Sequence, residues 1–506
     1  MEKEGLDRRG FLKGATWVGA LGVGAATAGM MLTGCTEKEP EEPEEVWDYE
    51  VDVAIGGFGM GGSVAALTAQ KAGASVIAFE SFYQVGGTSV DSGGGASAPA
   101  TMEAAKTNMP YGNPVLMKAF IEGLPKARDV LVELDIPVRA PATSNGFTLG
   151  IESTHPSRLA SFEAMAKVFT DNGGTLLMET KAIKLLTDEN GAICGIVARD
   201  KSGKILNVKA KAVILACGGF QNNNELKTRF FGPNGDMSVC RAVPTNDGTG
   251  LLMAQAIGAG LSQGLGTFYG HTIAADIKVD FMEFQGVGTQ AHDNRSICVN
   301  LDGVRYTDEG MGVAGDLGNQ ALMGERWGRA ALLFDQNIYD TFGSHSASGI
   351  PTGIDRTKEV MNRGGRVASA DTIEDLAKKI SAWGYNRAAV IKTVKEYNDA
   401  VDAGTTADLA VPRTTGLIAS IIKLEKPPFW ATEVVPGISC CYGGLLINEK
   451  GEVLLDEPKT PIPGLYAAPG TAGGVTAVHY YLSSIGAAAS FGWITADSAV
   501  KYIASL

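Results

Sequence analysis

A glycine-dense loop, IGGFGMGG at residues 55–62, carries residue types that could bind a phosphate. Only one register fits the pattern GxGxxG well. In it Gly57 makes a tight turn, Gly59 lets a pyrophosphate approach the backbone, and Gly62 lets a helix pack close to a strand. Further along, Glu80 stands where an acid binds ribose hydroxyls in such sites. The chemistry indicated is binding of a dinucleotide, and the carboxylate disfavours a phosphorylated ribose.

The elements around this loop form the unit that the pattern requires. Residues 51–55 predict a short buried strand, residues 63–72 predict a helix, and residues 75–79 predict a second strand that Glu80 closes. A GxGxxG pattern is a weak signal by itself. Within a βαβ unit that also carries the acid, it predicts a dinucleotide-binding site.

Three further segments hold clusters of glycine and other small residues. They are GGTSVDSGGG at residues 86–95, ACGGF at 216–220, and IPGLYAA at 462–468, which precedes a glycine pair and a helix starting at Ser484. A simple NAD-binding fold has no need of a second glycine cluster so soon after the acid. The positive end of the last helix would stabilise the negative charge of a reduced flavin.

Together these segments resemble the FAD-binding flavoproteins of the fumarate reductase and 3-ketosteroid dehydrogenase family, over nearly everything from Val51 to the end. The resemblance implies FAD as the cofactor. It also implies an α/β fold, in which a Rossmann-like FAD-binding domain carries an inserted α+β capping domain. The predicted FAD-binding domain is discontinuous, at residues 47–264 and 436–506, and the predicted capping and substrate domain is residues 265–435.

The family's cofactor contacts carry over to individual positions of this chain. The resemblance places Gly57, Gly59 and Gly62 on the pyrophosphate, Glu80 on the adenosine ribose and the backbone of Ala182 on adenine. Along the ribityl chain and the isoalloxazine it places Gly86, Gly87, Thr88, Ser89 and Gly93. The remaining implied contacts come from Gly470, Ser484 and Ile485.

Members of this family pass a hydride between flavin N5 and a carbon beside an electron-withdrawing group, while an acid or base handles a proton at the neighbouring carbon. The resemblance makes His271, Arg305 and His479 candidate catalytic residues, and Tyr442 and Tyr480 are further candidates because phenols stand where the family has other groups. Alternatives stay open for each of them. The histidines and tyrosines could serve packing, and Arg305 could form a salt bridge within the cap.

The sequence departs from fumarate reductases at three positions that clamp a dicarboxylate. Residues 309–316 lack their arginine proton donor, Ser439 replaces the histidine of their HxTxGG motif, and His479 replaces their last arginine. Four tyrosines are prominent instead, namely Tyr269, Tyr442, Tyr480 and Tyr481. Among them Tyr442 and Tyr480 are the expected proton donors. These departures disfavour fumarate and favour a larger, less charged acceptor such as an enone, with a tyrosine as proton donor.

Composition excludes several other functions. A formal net charge of −13 disfavours nucleic acid or an anionic membrane surface as a partner. None of the seven cysteines forms CxxC or CxxCH, so no metal, iron–sulfur or c-type haem site is predicted. The 66 glycines carry no collagen period and therefore indicate tight turns in a globular protein.

Residues 1–35 predict a twin-arginine and lipoprotein signal. The sequence DRRGFLK at 7–13 precedes an apolar run, which ends in LTGC at Cys35, the residue that a lipoprotein box would lipidate. The alternative is an ordinary membrane-anchor helix. Residues 36–46 predict an acidic tether. We therefore expect export by the twin-arginine route and a lipid anchor on the outer face of the cell membrane.

The expected function is extracytoplasmic, FAD-dependent reduction of an activated C=C bond in a small organic acceptor, an enone or an unsaturated acid. Electrons are expected from a separate membrane cytochrome or quinol-linked carrier, as in anaerobic respiration. One alternative is a 3-ketosteroid-type dehydrogenase that introduces a C=C bond. The other is a non-catalytic flavin electron-transfer lipoprotein.

Overall fold

The computed structural model describes residues 46–92, 96–136, 138, 142–144, 147–151, 158–290, 292–311, 316–345, 353–416, 420–477 and 484–506. The first strands are β1 Tyr49–Gly56, β2 Val76–Phe79, β3 Ala96–Pro99, β4 Ala142–Ser144, β5 Phe147–Ile151, β6 Thr175–Leu177, β7 Thr180–Thr187, β8 Ile193–Asp200, β9 Ile205–Leu215 and β10 Val239–Cys240. The later strands are β11 Phe268–Tyr269, β12 Thr272–Ala274, β13 Ile297–Asn300, β14 Ala330–Asp335, β15 Val367–Ala370, β16 Phe429–Ile438, β17 Cys440–Cys441, β18 Glu452–Leu454 and β19 Pro461–Ala467. The helices are α1 Met60–Lys71, α2 Met102–Asn108, α3 Pro114–Glu133, α4 Arg158–Asp171, α5 Asn224–Phe231, α6 Thr249–Gln255, α7 Asp316–Gly324, α8 Gln336–Phe342, α9 Arg356–Asn362, α10 Ile373–Ser381, α11 Arg387–Ala403 and α12 Ser484–Ile503.

The larger sheet is largely parallel and contains the predicted βαβ unit. Its strand order is β18-β19-β9-β1-β2-β6, and β7 and β8 extend it beside β9. Ile55 of β1 lies opposite Ala78 of β2 on one side and Ile214 of β9 on the other, and all three side chains are buried. Because carboxyl ends of parallel strands share one edge, the turns after β1, β2, β9 and β19 meet there. The predicted α/β class with a Rossmann-like unit is confirmed.

Helix α1 begins at Met60, earlier than the predicted start at Ser63, and so contains two glycines. Glycine inside a helix costs roughly 0.5–1 kcal/mol relative to alanine. Close packing explains its presence here. A Cβ atom on Gly62 would overlap the carbonyl oxygen of Gly57, and one on Gly61 would lie 3.1 Å from the Cβ atom of Ala468. Tertiary contact therefore outweighs local helix propensity at this position.

A second, six-stranded sheet lies within the later part of the chain. Its order is β10-β16-β14-β13, and β12 and β15 also pair with β16. A cluster of buried apolar side chains between Ile297 and Val434 packs around this sheet, and helix α10 packs on β15 and β16. The predicted domain border at residue 436 falls inside β16, and the division into two domains stays a prediction.

Among the helices of the described residues, none combines the length and apolar character needed to cross a membrane. The predicted signal, lipidation at Cys35 and nearly all of the predicted tether lie outside the described residues, as do Gly93, His479 and Tyr480.

Candidate FAD-binding and active site

A cavity of about 480 Å³ opens at the edge where the parallel strands end. This size is typical of small-molecule and cofactor sites. The cavity is lined by the turns after β1, β2 and β9, the segment 180–182 and the first turn of α12. Residues of β11 and β17 and the residue after β10 also line it. Segments far apart in sequence thus form one site.

The glycine loop after β1 forms one end of this cavity. Gly57 has a φ of 96°, a conformation that glycine adopts without strain. Gly59 precedes α1, and no side chain caps the helix there. A Cβ atom at Gly59 would meet only Gly86, at 3.6 Å from its carbonyl oxygen. Open space before unpaired helix N–H groups fits a pyrophosphate.

Glu80 lines the same end of the cavity and is buried. Burial raises the pKa of its carboxyl group, and backbone hydrogen bonds oppose that shift. The N–H of Phe58 donates to Oε2 at 3.0 Å, and the N–H of Phe82 donates to Oε1 at 2.8 Å. These two donors hold the carboxyl group in place beside the glycine loop, which fits the predicted ribose contact.

Most of the predicted cofactor residues line this single cavity. Those that line it are Gly57, Gly59, Glu80, Gly87, Thr88, Ser89, Ala182, Gly470, Ser484 and Ile485. Gly62 and Gly86 are not among the lining residues. Each one nevertheless permits close packing, since a Cβ atom on Gly86 would overlap Val90. The residues present therefore fit FAD along the whole length of the cavity.

The first turn of α12 also lines the cavity. Ser484 and Ile485 line it, and the Ser484 hydroxyl lies 3.3 Å from the Cys440 thiol. Burial raises the pKa of the Cys440 thiol to about 11, which keeps it neutral. A neutral hydrogen-bonding pair at a helix N-terminus leaves the helix dipole available to a negatively charged group.

Among the described residues that line this cavity, Tyr269 is the tyrosine, and His271 lies next to its hydroxyl group. The Tyr269 hydroxyl oxygen lies 2.9 Å from His271 Nε2, within hydrogen-bonding distance. His271 is buried and does not line the cavity. The predicted histidine thus stands one layer behind a tyrosine, where an Nε2–H can donate to the phenolic oxygen. Tyr269 can donate a proton into the cavity, and His271 can then return a proton to the phenolic oxygen.

Arg241, which the sequence reading missed, also lines the cavity, and it is buried. Its Nε donates to Thr289 Oγ1 at 2.9 Å and its Nη1 donates to Ser439 Oγ at 2.7 Å. Nη2 has no hydrogen-bond partner among the described residues. No motif marks Arg241 in the sequence, so a cation here could be found only from the fold.

The other predicted catalytic residues lie away from the cavity or outside the described part. Arg305 is buried in an ion pair, with Nε donating to Glu309 Oε1 at 3.0 Å, and Nη2 donates to the carbonyl of Pro412 at 3.0 Å. This arrangement matches the salt-bridge alternative. Tyr442 is buried and is not among the lining residues. Of the described candidates, only His271 reaches the cavity, through Tyr269.

Asp91 lines the cavity as a buried carboxyl group, and we expect Asp91→Asn to stabilise the protein above pH 7. Burial raises the pKa of Asp91 to about 6, against the opposing charges of Arg241 and Arg158. A raised pKa gives stability that is present below about pH 4 and is lost as the pH rises through about 6. The expected gain at pH 8 is about 1–3 kcal/mol.

Thermal unfolding of wild type and Asp91→Asn at pH 8 and at pH 4.5 would measure this gain. The two proteins should differ most at pH 8, and the difference should be clearly smaller at pH 4.5, where the folded protein keeps Asp91 protonated. A variant less stable than wild type at pH 8 would show that Arg241 holds Asp91 ionised in the folded protein.

Comparison with known proteins agrees with this geometry. The family described as FAD binding domain matches residues 52–486. The chain therefore belongs to this family of FAD-binding proteins. The predicted family resemblance and the FAD cofactor are confirmed, and the chain is an FAD-dependent oxidoreductase.

Individual relatives lie within the same group of flavoproteins. The chain is 28% identical over 480 residues to a probable fumarate reductase, Ifc3, of Shewanella frigidimarina, covering 89% of this chain and 75% of that protein. It is 28% identical over 464 residues to a urocanate reductase of Eggerthella lenta, covering 86% and 72%. The crystal structure of a 3-ketosteroid delta1-dehydrogenase from Sterolibacterium denitrificans has the same fold, with a TM-score of 0.69 at 20% identity over 90% of this chain and 100% of that chain.

Proposed function

We propose that this chain reduces an activated C=C bond of a small organic acceptor. The observation that carries the proposal is the Tyr269 phenol in the cofactor cavity, hydrogen-bonded to His271. Bound FAD supplies hydride-transfer chemistry. Similarity to proteins named as fumarate and urocanate reductases supports reduction of an unsaturated compound.

In this proposal the protein's own residues handle the proton and position the acceptor. Tyr269 donates a proton to the carbon next to the one that is reduced, and His271 returns a proton to the phenolic oxygen. The Ser439 N–H donates to the Tyr269 carbonyl oxygen at 2.7 Å, which fixes the backbone beneath the phenol. A fixed donor contributes more to the rate than a mobile one.

We further propose that the protein works outside the cytoplasm, anchored by lipid at Cys35 and supplied with electrons by a separate membrane cytochrome or quinol-linked carrier. The twin-arginine pattern at residues 7–13 and the LTGC ending support this location. The location in turn favours reduction over dehydrogenation, because an exported flavoprotein of this kind can serve as a respiratory reductase.

Anaerobic reoxidation of the flavin tests the proposed reaction. The protein from Cys35 onward, loaded with FAD and reduced, would be mixed in turn with fumarate, urocanate, cinnamate and a steroid enone. Return of the oxidised flavin's visible band with one acceptor class supports the reductase. Bleaching of the oxidised enzyme by a saturated ketosteroid would assign the reverse, dehydrogenase reaction. Failure of every compound in both directions would leave the electron-transfer alternative.

A further inference from the structure

Arg241 is a buried cation whose bonding is incomplete. Its side chain donates to two hydroxyl groups, those of Thr289 and Ser439, and the charge of Asp91 also acts on it. Nη2 is buried and has no hydrogen-bond partner among the described residues. Burying a charged donor without a partner is costly, so such a group indicates a missing anionic or carbonyl ligand.

The fold places this cation beside the proposed proton donor. Cys240 pairs with Ile438 at the end of β10, and the Arg241 N–H donates to the Ile438 carbonyl oxygen at 2.8 Å. Tyr269 pairs with Cys440, two residues further along the chain from Ile438. Ser439 lies between them, with its hydroxyl on Arg241 and its N–H on Tyr269. The guanidinium and the phenol are therefore both held by residues 438–440 and both line the cavity.

We propose that Arg241 binds the carboxylate of an α,β-unsaturated monocarboxylic acid and so selects this class of acceptor. The inference rests on the proposed reductase function and names its substrate class. The missing family cations favoured an enone as the acceptor. Arg241, which follows β10, supplies a cation from another segment, so an unsaturated acid replaces the enone.

The guanidinium of Arg241 can bind one carboxylate group of an acceptor. The other described cation that lines the cavity, Lys181, already pairs with Asp247. Asp91 lines the same cavity, and its negative charge would oppose a second carboxylate on the acceptor. The charges of the described lining residues therefore favour a monoanion over a dianion such as fumarate.

The reaction balances with these groups. The β-carbon of the acid would gain the hydride that bound, reduced FAD would supply, and the electron pair of the C=C bond would move to the α-carbon. The α-carbon takes the proton of the Tyr269 hydroxyl, which regains one from His271. The acceptor would become the saturated acid, and its two added electrons would come from the reduced cofactor. The guanidinium on the carboxylate stabilises the negative charge that develops during this step.

Matched acceptors with and without a carboxylate test the proposal on the FAD-loaded enzyme. Cinnamate and 4-phenylbut-3-en-2-one share the ring and the C=C bond and differ in the activating group. We expect Arg241→Met to lower kcat/KM for cinnamate about 30- to 1000-fold, and to change that for the ketone less than about threefold. Arg326→Met is the control, because Arg326 is half-exposed and its ion pair is with Asp302, so both acceptors should react as with wild type.

A binding measurement separates this inference from the reductase proposal. The unreactive saturated acid 3-phenylpropionate would be titrated into the oxidised holoenzyme, and its Kd read from the shift of the visible flavin band. We expect Arg241→Met to raise this Kd by a similar factor. If no acceptor reoxidises the flavin but this binding depends on Arg241, the reductase proposal fails and the carboxylate site stands.

Three results would overturn the inference. One is a wild-type enzyme that reacts with the ketone and not with the acid. Another is an equal loss for both acceptors with a shifted flavin potential, which would show that Nη2 serves the flavin. The third is absence of 3-phenylpropionate binding. If Arg241→Met does not retain FAD, Arg241→Lys is the variant to use, because it keeps the charge and changes the geometry. It should weaken binding of 3-phenylpropionate about tenfold and leave the reaction of the ketone unchanged.

Discussion

Replacing Tyr269 by phenylalanine is expected to slow acceptor reduction about 10²- to 10⁴-fold while FAD stays bound. The change removes one hydroxyl group, which lies 2.9 Å from His271 Nε2, from a ring that lines the cavity. Proton donation then depends on water or on a more distant group. The measurement is the rate of flavin reoxidation by the acceptor after anaerobic mixing, with the flavin content determined from the absorbance of the purified protein.

The loss should fall on kcat more than on KM, because the proton moves in the transition state and the hydroxyl contributes little to binding beforehand. Tyr83→Phe is a suitable control, since Tyr83 is largely exposed and is not among the cavity-lining residues. Reoxidation of Tyr269→Phe within about threefold of wild type would remove Tyr269 as the donor. Attention would then turn to the predicted Tyr480, which lies outside the described residues.

The cofactor half of the site could be predicted from the sequence because its signals are local. Gly57, Gly59, Gly62 and Glu80 belong to one βαβ unit, in which strand, turn, helix and acid follow one another at short spacing. The start of α1 differed from prediction. The helix starts earlier because Gly61 and Gly62 pack against neighbouring backbone and side chains. Helix propensity depends on local sequence and does not include that packing.

The substrate half depends on contacts between distant segments. Arg241 and Tyr269 meet at Ser439 through the pairing of β10 with β16 and of β11 with β17, and each of these pairings extends over only two residues. Strand pairings this short leave no hydrophobic periodicity in the sequence from which they could be predicted. Arg305 shows the opposite case, in which a family-like motif is present but the side chain is committed to Glu309.

Gly59→Asp is expected to abolish stable FAD binding without unfolding the protein. Gly59 is the N-cap of α1, where aspartate is among the best residues, so the apoprotein should keep or slightly raise its stability. The open space at Gly59 accepts a side chain, because a Cβ atom would meet only Gly86. In the holoenzyme the new carboxylate would stand beside the pyrophosphate, and the repulsion should weaken FAD binding about 10³-fold or more.

Gly59→Asn separates charge from bulk, because asparagine has nearly the same size and caps helices as well as aspartate does. We expect the asparagine variant to lose much less affinity for FAD than the aspartate variant, while the two apoproteins unfold at similar temperatures. Gly62→Ala should behave in the opposite way and destabilise the apoprotein itself, since its Cβ atom overlaps the Gly57 carbonyl oxygen. Flavin fluorescence titration of each apoprotein measures the affinities. If Gly59→Asp binds FAD with wild-type affinity, the pyrophosphate does not lie at the N-terminus of α1, and the negative charge at residue 59 repels no part of the cofactor.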